Sequence, residues 1–275
     1  MPYGTPAATG GLTKPITTLT LRKMKQEGTK FVTVALYDAP MAAMAKKSGV
    51  EVLLVGDSLG MTVLGYDSTV PVTMEQMIYH VEAVKRGNDK SLIMGDMPFM
   101  TYATPEQALK NATRIMQAGA HMVKLEGGAW LADTVKMLSD RGIPVCAHLG
   151  LTPQSVNKLG GFRVQGRDDA GAHQILADAK AMDAAGADLL VLECVPSALA
   201  KDITDAVSMP TIGIGAGKET DAQVLVINDI LGLTEQPPKF SKNFLVEAKD
   251  IPGALERYVS DVKSGVFPDS EHTFL

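Results

Sequence analysis

The sequence predicts an α/β chain of the (β/α)8 TIM-barrel class. Three observations carry this: a recurring helix-glycine-strand pattern, eight short apolar runs, and 275 residues, a length that such a barrel fills as a single domain, 1–275. The pattern recurs at 48–57, 118–126, 141–148 and 185–193, where a helical stretch ends on Gly and the apolar run after it stops at polar residues. Glycine supplies the left-handed residue that terminates a helix, and a run apolar at consecutive positions is buried on both faces, as a parallel strand is. Runs at 31–37, 91–95, 209–214 and 224–228 bring the strands to eight, and helix followed by strand, repeated, is βα architecture.

Helices are expected between the strands at 39–47, 73–86, 105–117, 130–140, 170–185, 197–207 and 244–263. Thr104-Pro105 sets a capping hydroxyl before a proline at the first helical position, and Thr73 with Gln76 forms a capping box. An extra N-terminal helix at 17–27 is expected to cover the N-terminal mouth of the barrel. Residues 1–14, rich in Gly, Pro, Thr and Ala, read as a flexible arm. The connections 58–72 and 149–169 are longer than a barrel needs, which suits walls or lids of a site.

Composition narrows the function. The formal charge is −5 with both signs interspersed and no basic block, which argues against nucleic acid and for a small-molecule substrate. No run approaches the roughly 20 apolar residues of a membrane span, and the N-terminus lacks the apolar core of an export signal, so a cytoplasmic location is expected. Cys146 and Cys194 lie in apolar runs and read as core thiols, not a disulfide.

A barrel gathers the C-terminal ends of its strands at one mouth, where active sites lie. The polar residues there are Asp57 and Ser58 after the second strand, Asp96 after the third, Lys124 and Glu126 on the fourth, His148 after the fifth and Glu193 after the sixth. Period-two alternation puts Lys124 and Glu126 on one face and leaves Val123 and Leu125 to the helices. Two like charges about 4 Å apart repel by roughly 4 kcal/mol at an effective dielectric of 20, so crowded carboxylates call for a cation. Oxygen ligands without a Cys or His cluster favour Mg2+, with Asp57 and Asp96 as direct ligands and Glu126 close by or acting through water. Singly, each residue has a plainer reading: Asp57 as a helix cap, Asp96 as a turn former, Lys124 and Glu126 as an ion pair, His148 and Glu193 as hydrogen-bonded structural groups. Their convergence on one rim favours a site. Gly213-Ile214-Gly215-Ala216-Gly217 reads as a tight βα turn in preference to a phosphate cradle. Met94, Met97 and Met100 read as core filler.

Several long motifs, Val55-Gly56-Asp57-Ser58-Leu59-Gly60-Met61, Leu64-Gly65-Tyr66-Asp67-Ser68-Thr69, Asp96-Met97-Pro98-Phe99, Val123-Lys124-Leu125-Glu126-Gly127-Gly128 and His148-Leu149-Gly150-Leu151-Thr152-Pro153-Gln154, resemble in order and spacing the ketopantoate hydroxymethyltransferase (3-methyl-2-oxobutanoate hydroxymethyltransferase) family. The resemblance implies a homodecamer with one Mg2+ per subunit. It implies transfer of a hydroxymethyl group from the co-substrate 5,10-methylenetetrahydrofolate to 3-methyl-2-oxobutanoate, giving 2-dehydropantoate and tetrahydrofolate in pantothenate biosynthesis. By the same match Asp57 and Asp96 bind the metal, with Glu126 completing its surroundings. Asp57, Ser58, Asp96, Lys124 and His148 surround the keto acid, and Glu193 is the proton acceptor, assisted by Lys124 and His148. The chain departs from the family pattern at Met100, at Ala222 and over 241–244, none of which removes a proposed ligand. Two other readings compete: a Mg2+-dependent carbon–carbon lyase of the isocitrate lyase and phosphoenolpyruvate mutase type, whose Lys-Cys-Gly-His motif is missing here, and a non-catalytic barrel, whose expected signature is a lost ligand.

Overall fold

The computed structural model describes residues 11–275, in which eight parallel strands close in chain order. They are β1 (Phe31–Ala35), β2 (Val52–Val55), β3 (Leu92–Asp96), β4 (Met122–Glu126), β5 (Val145–Gly150), β6 (Leu189–Glu193), β7 (Thr211–Ile214) and β8 (Ala222–Val226). The last strand pairs with the first, from Phe31 opposite Ala222 to Ala35 opposite Val226, so no strand edge is left open. The closed barrel and its surrounding helices are the (β/α)8 class that the sequence predicts.

Alternation along the strands divides the apolar residues between two cores. Val34, Leu53, Val55, Ile93, Val123, Leu125, Leu190 and Leu192 face outward beneath the helices. Phe31, Val52, Leu54, Met94, Met122, Cys146, Leu189 and Val191 fill the interior. Both faces are covered, which is why the runs lack the polar alternation of a half-exposed sheet. The glycines expected to end helices at 49, 119, 142 and 186 take φ of 87, 115, 79 and 95°, a region that other residues rarely enter. The Thr73–Gln76 capping box forms in both directions, at 2.8 and 3.2 Å.

The N-terminal helix, Thr18–Gln26, is capped by Thr17, and its fully buried Leu21 joins the interior core with Met24 and Ile16 beside it. It plugs the N-terminal mouth, as expected. Leu12 N–H donates to the Lys46 carbonyl at 3.4 Å, and the rest of the expected arm, 1–10, lies outside the described residues. Both cysteines are free and buried.

The structure corrects several boundaries. β8 starts two residues earlier than expected, and Ile227–Ile230 turns into a short helix. The buried Gln223 disguises the strand: its amide donates to Gly217 O and Thr220 Oγ1, so a polar residue sits in the helix-facing layer at no hydrogen-bonding loss. The helix expected over 244–263 is a 3-10 turn, Leu245–Glu247, and a separate helix, Ile251–Lys263, capped by Asp250. Continued through, it would drive the Pro252 ring against the Ala248 carbonyl. Met94 and Met97 are buried, whereas Met100 is not core: it is 56% exposed at φ 58°, on a turn closed by Thr101 N–H donating to Pro98 O.

Replacing Leu21 with Ala opens a void at the plug, far along the interior from Asp57. The substitution is expected to cost about 2–5 kcal/mol of stability. Urea denaturation should show a lower midpoint, with ligand affinity at the opposite mouth unchanged.

Candidate active site

Strand pairing brings the acidic and basic residues of the C-terminal mouth side by side. Asp96 lies in register with Lys124, and Glu126 with His148, so neighbours in the ladder become neighbours in charge. One alternation step below them the interior is apolar, at Met94, Met122, Cys146 and Val191. Lys124 Nζ stands 3.0 Å from Asp96 Oδ1 and 3.6 Å from Glu126 Oε1, with all three side chains at most 4% exposed. His148 sits between two carboxylates, Nδ1 at 3.5 Å from Glu126 Oε1 and Nε2 at 3.2 Å from Glu193 Oε2. These are ion-pair distances without hydrogen-bond alignment: Asp96 Oδ1, Glu126 Oε1 and both His148 nitrogens are buried with no aligned partner.

Asp57 N–H donates to Asp96 Oδ2 at 3.0 Å, so β2 and β3 are joined at the rim. The preceding Gly56 allows that approach: a Cβ there would stand 2.9 Å from Ser58 Oγ and 3.5 Å from Asp96 Oδ2. Ser58 Oγ is 2.9 Å from the buried Tyr37 hydroxyl. After β5 the chain turns at Gly150, φ 88°, where a Cβ would strike the Glu193 carbonyl. The loop beyond it therefore lies close over β6.

Burial and then the charges of Asp96 and Glu126 raise Asp57 well above the usual carboxylate range. Burial by itself would lower Lys124, but Asp96, Glu126 and Asp57 outweigh it and hold the ammonium charged. Burial and Lys124 likewise press on His148, yet the nearby carboxylates of Glu126 and Glu193 bring it up to about 9. No three Asp, Glu, His or Cys side chains among the described residues converge tightly enough to cage an ion alone. That suits an ion taking one or two carboxylates and completing its shell with water and substrate.

All of the expected site residues, Asp57, Ser58, Asp96, Lys124, Glu126, His148 and Glu193, line one cavity of about 600 Å³. Its outer walls come from the two long connections, through Met61 and Thr69 on one side and Leu151, Phe162 and Val164 on the other, together with Phe240 and Phe274 near the C-terminus. Met100 is not among the lining residues and does not narrow the cavity. Within 241–244, Ser241 donates to the buried Asp229 and Phe244 packs on Tyr258 and Phe267, so this stretch is well anchored. Gly215 and Gly217 make the tight turn after β7 at φ 60 and 76°. Sequence reasoning missed Gln154 and Tyr102, which are buried behind the carboxylates; the only signal was a polar residue after Pro153 in a loop already marked as long.

Fold and site together define a (β/α)8-barrel protein whose C-terminal mouth holds a buried cluster of carboxylates with a lysine and a histidine. The family model for ketopantoate hydroxymethyltransferase matches residues 15–270, and the chain belongs to that family. It is 76% identical over 263 residues to 3-methyl-2-oxobutanoate hydroxymethyltransferase of Saccharophagus degradans, covering 96% of this chain and 97% of that one. The protein of the same name from Shewanella loihica is 58% identical, over 94% and 98% of the two chains. Among solved structures, phosphonopyruvate hydrolase in complex with oxalate and Mg++ superposes with a TM-score of 0.61 at 12% identity, covering 78% of this chain and 83% of that one. A 2,3-dimethylmalate lyase of the phosphoenolpyruvate mutase/isocitrate lyase superfamily gives 0.55 at 16%, over 76% and 80%. At such identities the likeness speaks to the fold alone, so the lyase reading gains only a shared architecture.

Lys124 is the one ammonium held within the carboxylates. Lys124→Met should destabilise the protein by roughly 3–5 kcal/mol, because removing one partner strands buried charge. A thermal midpoint no lower than that of the parent chain would show that the cluster is not electrostatically coupled.

Proposed function

We propose that the chain transfers a hydroxymethyl group from 5,10-methylenetetrahydrofolate to 3-methyl-2-oxobutanoate, giving 2-dehydropantoate and tetrahydrofolate in pantothenate biosynthesis. The carrying observation is the cluster at the barrel mouth, with every expected ligand present in a chain 76% identical to a relative that bears this enzyme's name. One water is consumed, its oxygen becoming the new hydroxyl. The reaction needs a proton taken from C3 of the keto acid and a positive environment for the charge that then moves to the C2 oxygen.

Asp57 and Asp96 would hold one Mg2+ per subunit, with Glu126 beside it. The unaligned buried oxygens of Asp96 and Glu126, and the burial and like charges that raise Asp57, support that fit. When bound, the ion supplies Lewis-acid charge at the keto oxygen. Lys124, whose side chain is 4% exposed, adds a fixed cation that offsets the substrate carboxylate. Ser58, oriented by Tyr37, is placed to donate to the same substrate.

Among the four carboxylates Glu193 is the one free to take the proton. Asp57 is tied to Gln154, Asp96 to the Asp57 backbone and Lys124, and Glu126 to the Gln154 backbone, while Glu193 is 14% exposed with His148 beside it. His148 Nε2, 3.2 Å from Glu193 Oε2, orients that carboxylate. A homodecamer in the cytoplasm is the assembly and place we infer. Tyr79 and Trp130, each 68% exposed, are side chains that an assembly would cover, and no helix among the described residues is long and apolar enough to cross a membrane.

Deuterium exchange at C3 of 3-methyl-2-oxobutanoate, followed by NMR with Mg2+, tests the reading. The parent chain should catalyse exchange and, with folate, turnover; cleavage of a 2-methylisocitrate-like substrate without exchange would favour the lyase. Asp57→Asn should weaken divalent-ion binding and cut turnover together. Glu193→Gln should slow exchange by about 10²–10⁴ while keto acid affinity is kept, and exchange at the parent rate would remove Glu193 from its role.

A further inference from the structure

We propose that Gln154 is a positioning residue that presents Asp57 to a divalent cation, and that Tyr102 fixes which way its amide points. The inference rests on the metal reading above and adds to it a device outside the expected ligands. Gln154 lies in the loop after β5 and is 5% exposed. Its Nε2 donates to Asp57 Oδ2 at 2.8 Å and to the Met97 carbonyl at 2.9 Å, which uses both amide hydrogens. Its Oε1 accepts from the Tyr102 hydroxyl at 2.5 Å.

That arrangement admits one amide orientation. Turned over, the amide oxygen would face a carboxylate and a carbonyl, both acceptors, and the NH2 would face the Tyr102 proton. Tyr102 has a single proton to give, and Gln154 Oε1 is nearer than its other acceptor, the Glu126 carbonyl at 3.2 Å. The tyrosine oxygen also lies 3.3 Å from the Glu126 N–H, which donates to it, so backbone on β4 sets the hydroxyl and the hydroxyl sets the amide.

The consequence reaches Asp57. With Oδ2 held, the carboxylate cannot rotate freely, and Oδ1 is the oxygen left to serve an ion. Gln154 uses its backbone separately, donating N–H to Glu126 Oε2 at 2.9 Å. A side-chain substitution therefore releases Asp57 and leaves the hold on Glu126 intact.

The test is Mn2+ affinity of the full-length, metal-freed protein, read by electron paramagnetic resonance without substrate. Gln154→Met keeps length and volume and removes both donors; it should weaken Mn2+ binding by about 10–100-fold, the usual loss when a ligand loses its orienting partner. Tyr102→Phe should give a smaller loss in the same direction. Added to Asp57→Asn, Gln154→Met should cost nothing further, because its effect passes through Asp57; a loop anchor with a merely structural role would instead add its loss. Parent-like Mn2+ affinity in Gln154→Met, or additive losses in the double variant, overturns the proposal. Should Gln154→Met not fold, Tyr102→Phe decides alone, and unchanged Mn2+ affinity there overturns it. Should Asp57→Asn itself bind Mn2+ as the parent does, the metal reading fails and this inference falls with it, a result distinct from failure at Gln154 alone.

Discussion

The buried contact between Lys124 and its carboxylates is the constraint on which the rest of the mouth depends. Carboxylates on adjacent strands cannot remain ionised in an apolar barrel unless cations stand between them, and a single ammonium, less than 5% exposed, reaches both Asp96 and Glu126. Strand pairing puts it there. Asp96 is its ladder neighbour across β3 and β4, and Glu126 is two residues further along its own strand, on the same face. A one-residue slip would turn Lys124 toward the helices and Val123 into the mouth. The outward core, packed without exposure at Val123 and Leu125, therefore guards the position of the site.

Strands alone do not finish the arrangement. One oxygen each of Asp57 and Glu126 is taken up by the chain after β5, which Gly150 allows to pass close over Glu193 and which returns Gln154 beneath both. The mouth is thus built in two layers: charges set by rigid strands, and orientations set by a loop whose own amide is locked by Tyr102. Such a division separates what must not move from what can be tuned, and the outer apolar wall of Phe162, Val164 and Phe240 lies beyond both.

The legible part of this molecule was the part governed by periodicity. Glycine at 49, 119, 142 and 186 marked helix ends because only a left-handed residue fits there, and alternation from Val123 to Glu126 assigned faces before any coordinates. The charged residues of the site were readable for the same reason: each interrupts an apolar run at a strand end. Gln154 was not readable, since an amide in a loop interrupts nothing and its value lies in partners up to 97 residues distant in sequence. Gln223 misled in the opposite sense, a buried polar residue that looks like a strand boundary and lies inside β8. Pro252 was visible, but its consequence for a helix starting at 244 follows only once the chain is seen to need a turn at 248–250. Met100 shows the limit of composition, because an apolar side chain on a left-handed turn is carried outward however well it would fill a core.

The two ends of the barrel interior obey opposite demands. At the N-terminal end Leu21, Phe31 and Leu92 form a closed apolar plug, which favours the folded chain and does nothing else. At the C-terminal end, one alternation step beyond Met94, Met122, Cys146 and Val191, the same strands carry charged groups whose burial opposes folding. Any ligand bound at that end would also stabilise the fold, because it would bind the folded state and find no such cluster in the unfolded chain. The apolar plug favours the closed barrel whether or not the mouth is filled, so the burden that the charged groups place on folding is carried at the opposite end of the same strands.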